Sequence, residues 1–251
     1  MKFPEFIIVG VTKGGTTALW YNLDKHPGIN MATKSSSSLE MNFFGGITRK
    51  KGIEWYKTRF SGEVCGEKST LYCQHNGAIK NIKKYMPDVK LILCVRNPVD
   101  RAYSNWQMNY RGGEGRIKEK FSFNLFKRRY SATGKYINLI EEIILPYFDK
   151  SELYICVSEH MKKDMTGEMK KVFEYIGVDD LNLPSKEIIY MKGRTRQEDI
   201  IANREEKFYR VWSKFTDRLT GPLRKEVLEY YKPYNERLFN YFGYEIEEWK
   251  R

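Results

Sequence analysis

The segment that most constrains this chain is Phe6-Ile-Ile-Val-Gly10-Val-Thr-Lys13-Gly14-Gly15-Thr16-Thr17-Ala-Leu19. Phe6 to Val9 is a short apolar run that reads as a buried strand. Glycines and threonines follow, and a helical pattern with Leu19, Trp20 and Leu23 on one face begins at Thr16 or Thr17. A strand, a glycine turn and a helix start together suit a phosphate group. Glycines let backbone N–H groups approach an anion, and the first helical turn carries unpaired donors and the positive end of a dipole.

The spacing departs from a Walker A loop, which needs G-x-x-x-x-G-K-[ST]. Gly10 and Gly15 have that separation, and Thr17 stands where the Mg²⁺-binding hydroxyl would be. Thr16 occupies the place of the lysine, however, and Lys13 lies inside the loop. The loop is expected to cradle an anion other than an Mg-nucleoside triphosphate held in the usual way. A glycine turn that merely joins strand to helix is the alternative.

The rest of the chain repeats the alternation of strand and helix. Ile29 to Ala32 is a short extended piece after His26-Pro27-Gly28, and Ser35 to Ser38 reads as a polar surface loop. Trp55 to Phe60 reads as a short helix, and Glu63-Val-Cys-Gly-Glu67-Lys68-Ser69-Thr70 as a strand with a polar end. Ala78 to Tyr85 is helical. Lys90-Leu-Ile-Leu-Cys-Val95 is the most strand-like run and suits the centre of a parallel sheet. It leads into Arg96-Asn97-Pro98-Val-Asp100-Arg101-Ala-Tyr-Ser104, where Asn97 suits a helix N-cap and Pro98 the first helical position. An arginine at that strand end favours an anion, whereas a metal-dependent phosphate-loop enzyme would carry an aspartate there.

Beyond a glycine-rich charged loop at residues 111–120, Tyr136 to Tyr147 reads as an amphipathic helix, Leu153 to Val157 as a strand, and the helix around Met169 to Ile176 stops at Gly177. Lys192-Gly193-Arg194 offers a glycine between two cations. From Asn203 onward the chain reads as helical, with breaks at Gly221-Pro222 and Lys232-Pro233. The order predicts an α/β fold, a central parallel sheet flanked by helices. With no linker and no internal repeat, one domain over residues 1–251 is expected.

Composition narrows the partners. The 44 Lys and Arg against 32 Asp and Glu leave a formal charge of +12, which favours an anionic partner or simply a solvated basic surface. No DNA- or RNA-binding motif occurs, which argues against nucleic acid. The 4 cysteines show no paired spacing and read as buried free thiols, and the 3 histidines lack ligand spacing, so no metal site is expected. No apolar run reaches the length of about 18 residues that a membrane span needs. No signal peptide precedes the first strand, and a cytoplasmic location is expected.

Three separated motifs, Gly10-Val-Thr-Lys13-Gly-Gly-Thr-Thr17, Leu93-Cys-Val-Arg96-Asn97-Pro98-Val-Asp-Arg101-Ala-Tyr-Ser104 and Lys192-Gly193-Arg194, resemble those of the sulfotransferases that use 3′-phosphoadenosine-5′-phosphosulfate, PAPS. The similarity is closest to the carbohydrate branch typified by heparan sulfate sulfotransferases, and it extends to the closing Tyr230-Tyr-Lys-Pro-Tyr-Asn235. The resemblance implies a P-loop-like fold. It also implies that Lys13, Gly14, Gly15, Thr16 and Thr17 hold the 5′-phosphosulfate and that Arg96 and Ser104 hold the 3′-phosphate. Lys192, Gly193 and Arg194 would close over the nucleotide, leaving the bisphosphate PAP as product.

For the chemistry, the resemblance implies Lys13 at the bridging oxygen, Lys68 assisting from the acceptor side, and no metal. In the carbohydrate branch a glutamate precedes a His-Phe-Phe element. Glu40-Met-Asn42-Phe43-Phe44 matches at the glutamate and both phenylalanines, with Asn42 in place of the histidine. Glu40 is the expected base and His75 the alternative. The expected acceptor is a carbohydrate hydroxyl or amine, or a small hydroxylated or lipid metabolite. A phosphate-loop kinase for a small metabolite and a basic polyanion-binding module remain as alternatives. The kinase must explain both the displaced lysine and Arg96, and the module gives no reason for the loop.

Overall fold

The computed structural model describes residues 1–35, 38–46, 49–111, 117–179 and 219–250. These fall into two compact units, residues 1–96 with 136–179, and residues 97–135 with 219–250.

The first unit is built on a parallel five-stranded sheet in the order β2-β3-β1-β4-β5. Its strands are β1 (Phe6–Gly10), β2 (Ile29–Met31), β3 (Val64–Lys68), β4 (Lys90–Val95) and β5 (Leu153–Val157). Every residue of β1 is buried, as expected for the middle strand of a sheet covered on both faces. Ile8 is paired with Lys68 of β3 on one side and with Ile92 of β4 on the other. The chain after β1 therefore emerges between the ends of two neighbours.

One face of the sheet is covered by α1 (Thr16–Asp24), α7 (Ser158–Lys163) and α8 (Met165–Ile176). Phe6, Ile8, Ile92 and Cys94 pack there against Leu19, Leu23, Val172 and Phe173. Each such side chain contributes roughly 1.5–3 kcal/mol by leaving water. Helix α8 ends at Gly177 in the left-handed conformation, φ 84°, as its sequence predicts. On the other side, α3 (Asn76–Tyr85) contacts the 3-10 turn Tyr72–Gln74, which in turn contacts β1.

Two helices differ from their expected form. Helix α2 spans Gly52–Lys57 rather than Trp55 to Phe60, and Thr58 closes its last turn by donating to the Trp55 carbonyl at 2.8 Å. The expected helix over Tyr136 to Tyr147 begins as α6 (Tyr136–Asn138) and continues as a π-helix, Leu139–Ile144, with Leu145 N bonded to Ile140 O at 2.8 Å. The wider turn lets Leu139, Ile140 and Ile144 all be buried, a spacing that a 3.6-residue turn does not place on one narrow stripe.

The second unit contains α4 (Pro98–Arg111), α5 (Phe123–Arg129) and α9 (Gly221–Phe242). Val99, Ala102, Trp106, Phe126, Tyr130 and Tyr231 form its core. Asn97 caps α4, its Oδ1 accepting from Val99 N at 3.0 Å and Asp100 N at 3.3 Å. The break expected at Lys232-Pro233 is absent, since α9 runs through Pro233, and Pro222 opens the helix instead of interrupting it. Pro233 is exposed, and the packing of Tyr231, Leu238 and Phe239 on either side outweighs the hydrogen bond that a proline removes. Among the described residues no helix is long and apolar enough to cross a membrane.

Candidate active site

The loop after β1 has little conformational freedom. Gly15 stands at the N-cap of α1 with φ 101°, and Lys13 is also left-handed at φ 67°. Gly14 lies against the end of β4, where a Cβ would sit 2.4 Å from the Cys94 carbonyl oxygen. The loop is tied to that strand by Val11 N donating to Cys94 O at 3.0 Å. No side chain caps α1, so its first N–H groups keep their donor capacity, and the dipole adds positive potential there.

Side chains from three segments close a ring beside this loop. Lys68, last in β3 and 4% exposed, donates from Nζ to Thr17 Oγ1 at 3.1 Å and stands 3.8 Å from Glu40 Oε1. Glu40 reaches this position because its backbone bridges in parallel to that of Lys68. Thr70 Oγ1 donates to the Glu40 carboxylate at 3.0 and 3.2 Å, and Asn42 Nδ2 donates to Oε2 at 3.3 Å. Thr12 Oγ1 donates to Thr70 Oγ1 at 3.1 Å and completes the circuit back to the loop. Burial pushes the Lys68 ammonium below the ordinary lysine value, and nearby Glu40 opposes that shift. The ring thus holds a carboxylate and an ammonium at the edge of the glycine loop.

Arg96 follows β4 and is half-buried. Its carbonyl accepts the Tyr136 hydroxyl at 2.7 Å, while its Nε is buried with no hydrogen-bond partner. An unsatisfied buried N–H of this kind costs roughly 1–3 kcal/mol, and an anion would supply the missing acceptor. Ser104 is half-buried in the second turn of α4, in the second unit. Arg101, the other arginine of that motif, is fully buried and donates to the Tyr130 carbonyl, a structural role. Lys192, Gly193 and Arg194 lie outside the described residues.

His75 is exposed at the N-cap of α3. It lines a shallow groove of about 400 Å³ with Phe44, Arg49 and Gln74, apart from the ring of contacts around Glu40. His26 is structural: Nδ1 accepts from Gly28 N at 3.1 Å, so its Nε2 carries the proton toward Asp179 O, also at 3.1 Å. All four cysteines are buried free thiols.

The sequence places Glu67 and Thr70 in the polar end of a strand without giving either a role, and gives Thr12 none. Glu67 is completely buried and accepts from Tyr56 Oη at 2.7 Å, Ser69 Oγ at 2.7 Å and Tyr72 Oη at 3.2 Å. Burial pushes its carboxyl up to about 7, although the three donors pull the other way. The roles of the two threonines could not be read from sequence, because Thr70 meets Thr12 and Glu40 from distant segments. A glutamate one residue before the end of a strand was the available signal for Glu67.

The parallel sheet and the glycine loop at a strand–helix turn, with cations beside it, define a P-loop-like α/β fold. The family model described as Sulfotransferase domain matches residues 3–210, and the chain belongs to that family. A curated relative, the bifunctional heparan sulfate N-deacetylase/N-sulfotransferase 4 of Mus musculus, is 32% identical over 196 residues, 70% of this chain and 22% of the relative. The bifunctional heparan sulfate N-deacetylase/N-sulfotransferase 1 of the same organism is 33% identical over 198 residues, again 70% and 22%. The chain therefore spans about a fifth of the length of these relatives. The crystal structure of a sulfotransferase from Alicyclobacillus acidocaldarius shares the fold, with TM-score 0.73 at 21% identity over 100% of both chains.

Proposed function

We propose that this chain transfers a sulfuryl group from PAPS to a hydroxyl or amine of a carbohydrate acceptor, with Glu40 as the base. The observation that carries this reading is the ring of Glu40, Lys68, Thr17, Thr12 and Thr70 beside the anion loop. The carbohydrate acceptor is supported by the names of the heparan sulfate relatives and by the +12 charge. Both units act as one sulfotransferase domain over residues 1–251, since the matched residues 3–210 draw on both. Buried free thiols suit a reducing compartment, and the proposed location is the cytoplasm.

PAPS fits these residues on two counts, the glycine-tight loop at the start of α1 and the unsatisfied Nε of Arg96. Lys13, Gly14, Gly15, Thr16 and Thr17 would hold its 5′-phosphosulfate, and Arg96 with Ser104 its 3′-phosphate, where a guanidinium can bond two oxygens at once. Lys192, Gly193 and Arg194 are assigned to the nucleotide end. When bound, PAPS supplies a sulfuryl group on a phosphate leaving group. Glu40 takes the proton of the acceptor as its lone pair engages, with Thr70 and Asn42 fixing the carboxylate in place. Lys68 and Lys13 stabilise the negative charge that develops, in a site already short of water at Lys68.

The test is a thermal shift with adenosine 3′,5′-bisphosphate beside ATP plus Mg²⁺, since a ligand that binds only the folded chain raises Tm. Stabilisation by the bisphosphate alone, lost in Arg96→Ala, is expected; stabilisation by Mg-ATP alone would favour the kinase. With labelled PAPS and N-desulfated heparan sulfate, Glu40→Gln should lower kcat by about 10²–10⁴-fold while still binding the bisphosphate. Near-normal turnover in that variant would move the base to His75.

A further inference from the structure

We propose that Glu67 is a positioning residue for the transfer reaction: acting through Ser69 and Tyr72, it holds the backbone of residues 42–44 and so fixes where the Glu40 carboxylate stands. This inference rests on the reading of Glu40 as the base. Successive residues of a strand face opposite sides of the sheet, and Glu67 and Lys68 divide accordingly. Lys68 reaches Thr17 and Glu40, while Glu67 is sealed among Tyr56, Ser69 and Tyr72. Both sides lead to the same segment, because the backbone just after Glu40 is held by the hydroxyls that Glu67 orients. Asn42 N donates to Ser69 Oγ at 2.8 Å, and Phe43 N and Phe44 N donate to Tyr72 Oη at 2.7 and 3.1 Å.

The direction of these bonds is dictated by counting protons. The Ser69 and Tyr72 oxygens each accept N–H groups from the segment, so each must send its single proton elsewhere. Glu67 receives both, as Oε2 accepts from Ser69 and Oε1 from Tyr72; its ionised form, which prevails above about pH 7, accepts at both ends. The segment needs such support, because Asn42 is held at φ 49°, in the left-handed region. Glutamine has the same shape but presents N–H groups at one end. Either Ser69 or Tyr72 would then face a donor, and its hydroxyl would have to turn toward the N–H groups it now accepts.

The experiment is Glu67→Gln in the full chain at about pH 8, where the wild-type carboxyl is ionised, read in two ways. Hydrogen–deuterium exchange should show the amides of residues 42–44 exchanging at least about tenfold faster than in wild type. With labelled PAPS and N-desulfated heparan sulfate, kcat should fall by about tenfold or more, with the acceptor KM and the affinity for adenosine 3′,5′-bisphosphate changed by less than about twofold. Unchanged kcat, or wild-type protection of those amides, overturns the proposal. Should Glu67→Gln fail to fold, Tyr72→Phe carries the same expectation for the amides of Phe43 and Phe44. Glu40→Gln run in parallel separates the two readings. Wild-type turnover there removes the base on which the inference rests, whereas wild-type exchange in Glu67→Gln removes the positioning role whatever Glu40→Gln does.

Discussion

At the scale of single residues, Glu67 leaves a signature in stability as well as in catalysis. Its carboxyl is raised from the ordinary 4.5 to about 7 by burial. Between those two values the folded chain keeps a proton that the unfolded chain has already released. Stability must therefore fall as pH rises through that window and level off above it. At 1.36 kcal/mol per unit the total is on the order of 3 kcal/mol. Urea unfolding at pH 4.5 and pH 8 should show wild type losing about that much more than Glu67→Gln on going to the higher pH; equal losses would remove the raised carboxyl. Neither Glu67 nor Thr70 could be assigned from sequence, since what distinguishes them is contact with Tyr56, Thr12 and Glu40 across long stretches of chain. Lys68 and Arg96 could be placed from sequence because each stands at the end of a strand, and Lys13 because it lies in the glycine loop that follows one.

At the scale of elements, the loop between β1 and α1 depends on a close backbone approach. A Cβ on Gly14 would meet the Cys94 carbonyl oxygen, part of the central sheet, at 2.4 Å, so the loop must move. Gly14→Ala is expected to abolish the thermal shift with adenosine 3′,5′-bisphosphate and to lower Tm by several degrees, on the order of 1–3 kcal/mol. Gly77→Ala is the matching control. Nothing lies within 4 Å of a Cβ there, and it should be neutral or slightly stabilising. The strands, the Asn97 cap and the stop at Gly177 could be read from sequence because each is a local rule. The π-helix Leu139–Ile144 and the passage of α9 through Pro233 could not. In both, packing against other elements overrides the local preference.

For the whole molecule, the excess of 44 basic over 32 acidic residues predicts how an anionic acceptor is met. Raising salt from about 50 to about 500 mM should lower kcat/KM for N-desulfated heparan sulfate by roughly tenfold or more, chiefly through KM, because the Debye length contracts severalfold. A neutral sugar acceptor should show little of this effect, and equal salt dependence for both would dissociate the charge from acceptor binding. The match of residues 3–210 to the family is consistent with the motifs lying far apart in the sequence. Acceptor preference was the least legible property, since a solvated basic surface and a polyanion track have the same composition.

Ser35 and Ser38 pair their backbones, with Ser38 N donating to Ser35 O at 3.0 Å and Ser35 N to Ser38 O at 3.4 Å. This backbone pair lies shortly before Glu40 in the chain. Ser35 is exposed, and every native thiol is buried, so Ser35→Cys would create the one readily alkylated sulfur among the described residues. A fluorophore attached there would stand within a few residues of Glu40, the proposed base, and would serve as an optical reporter of acceptor arrival and release.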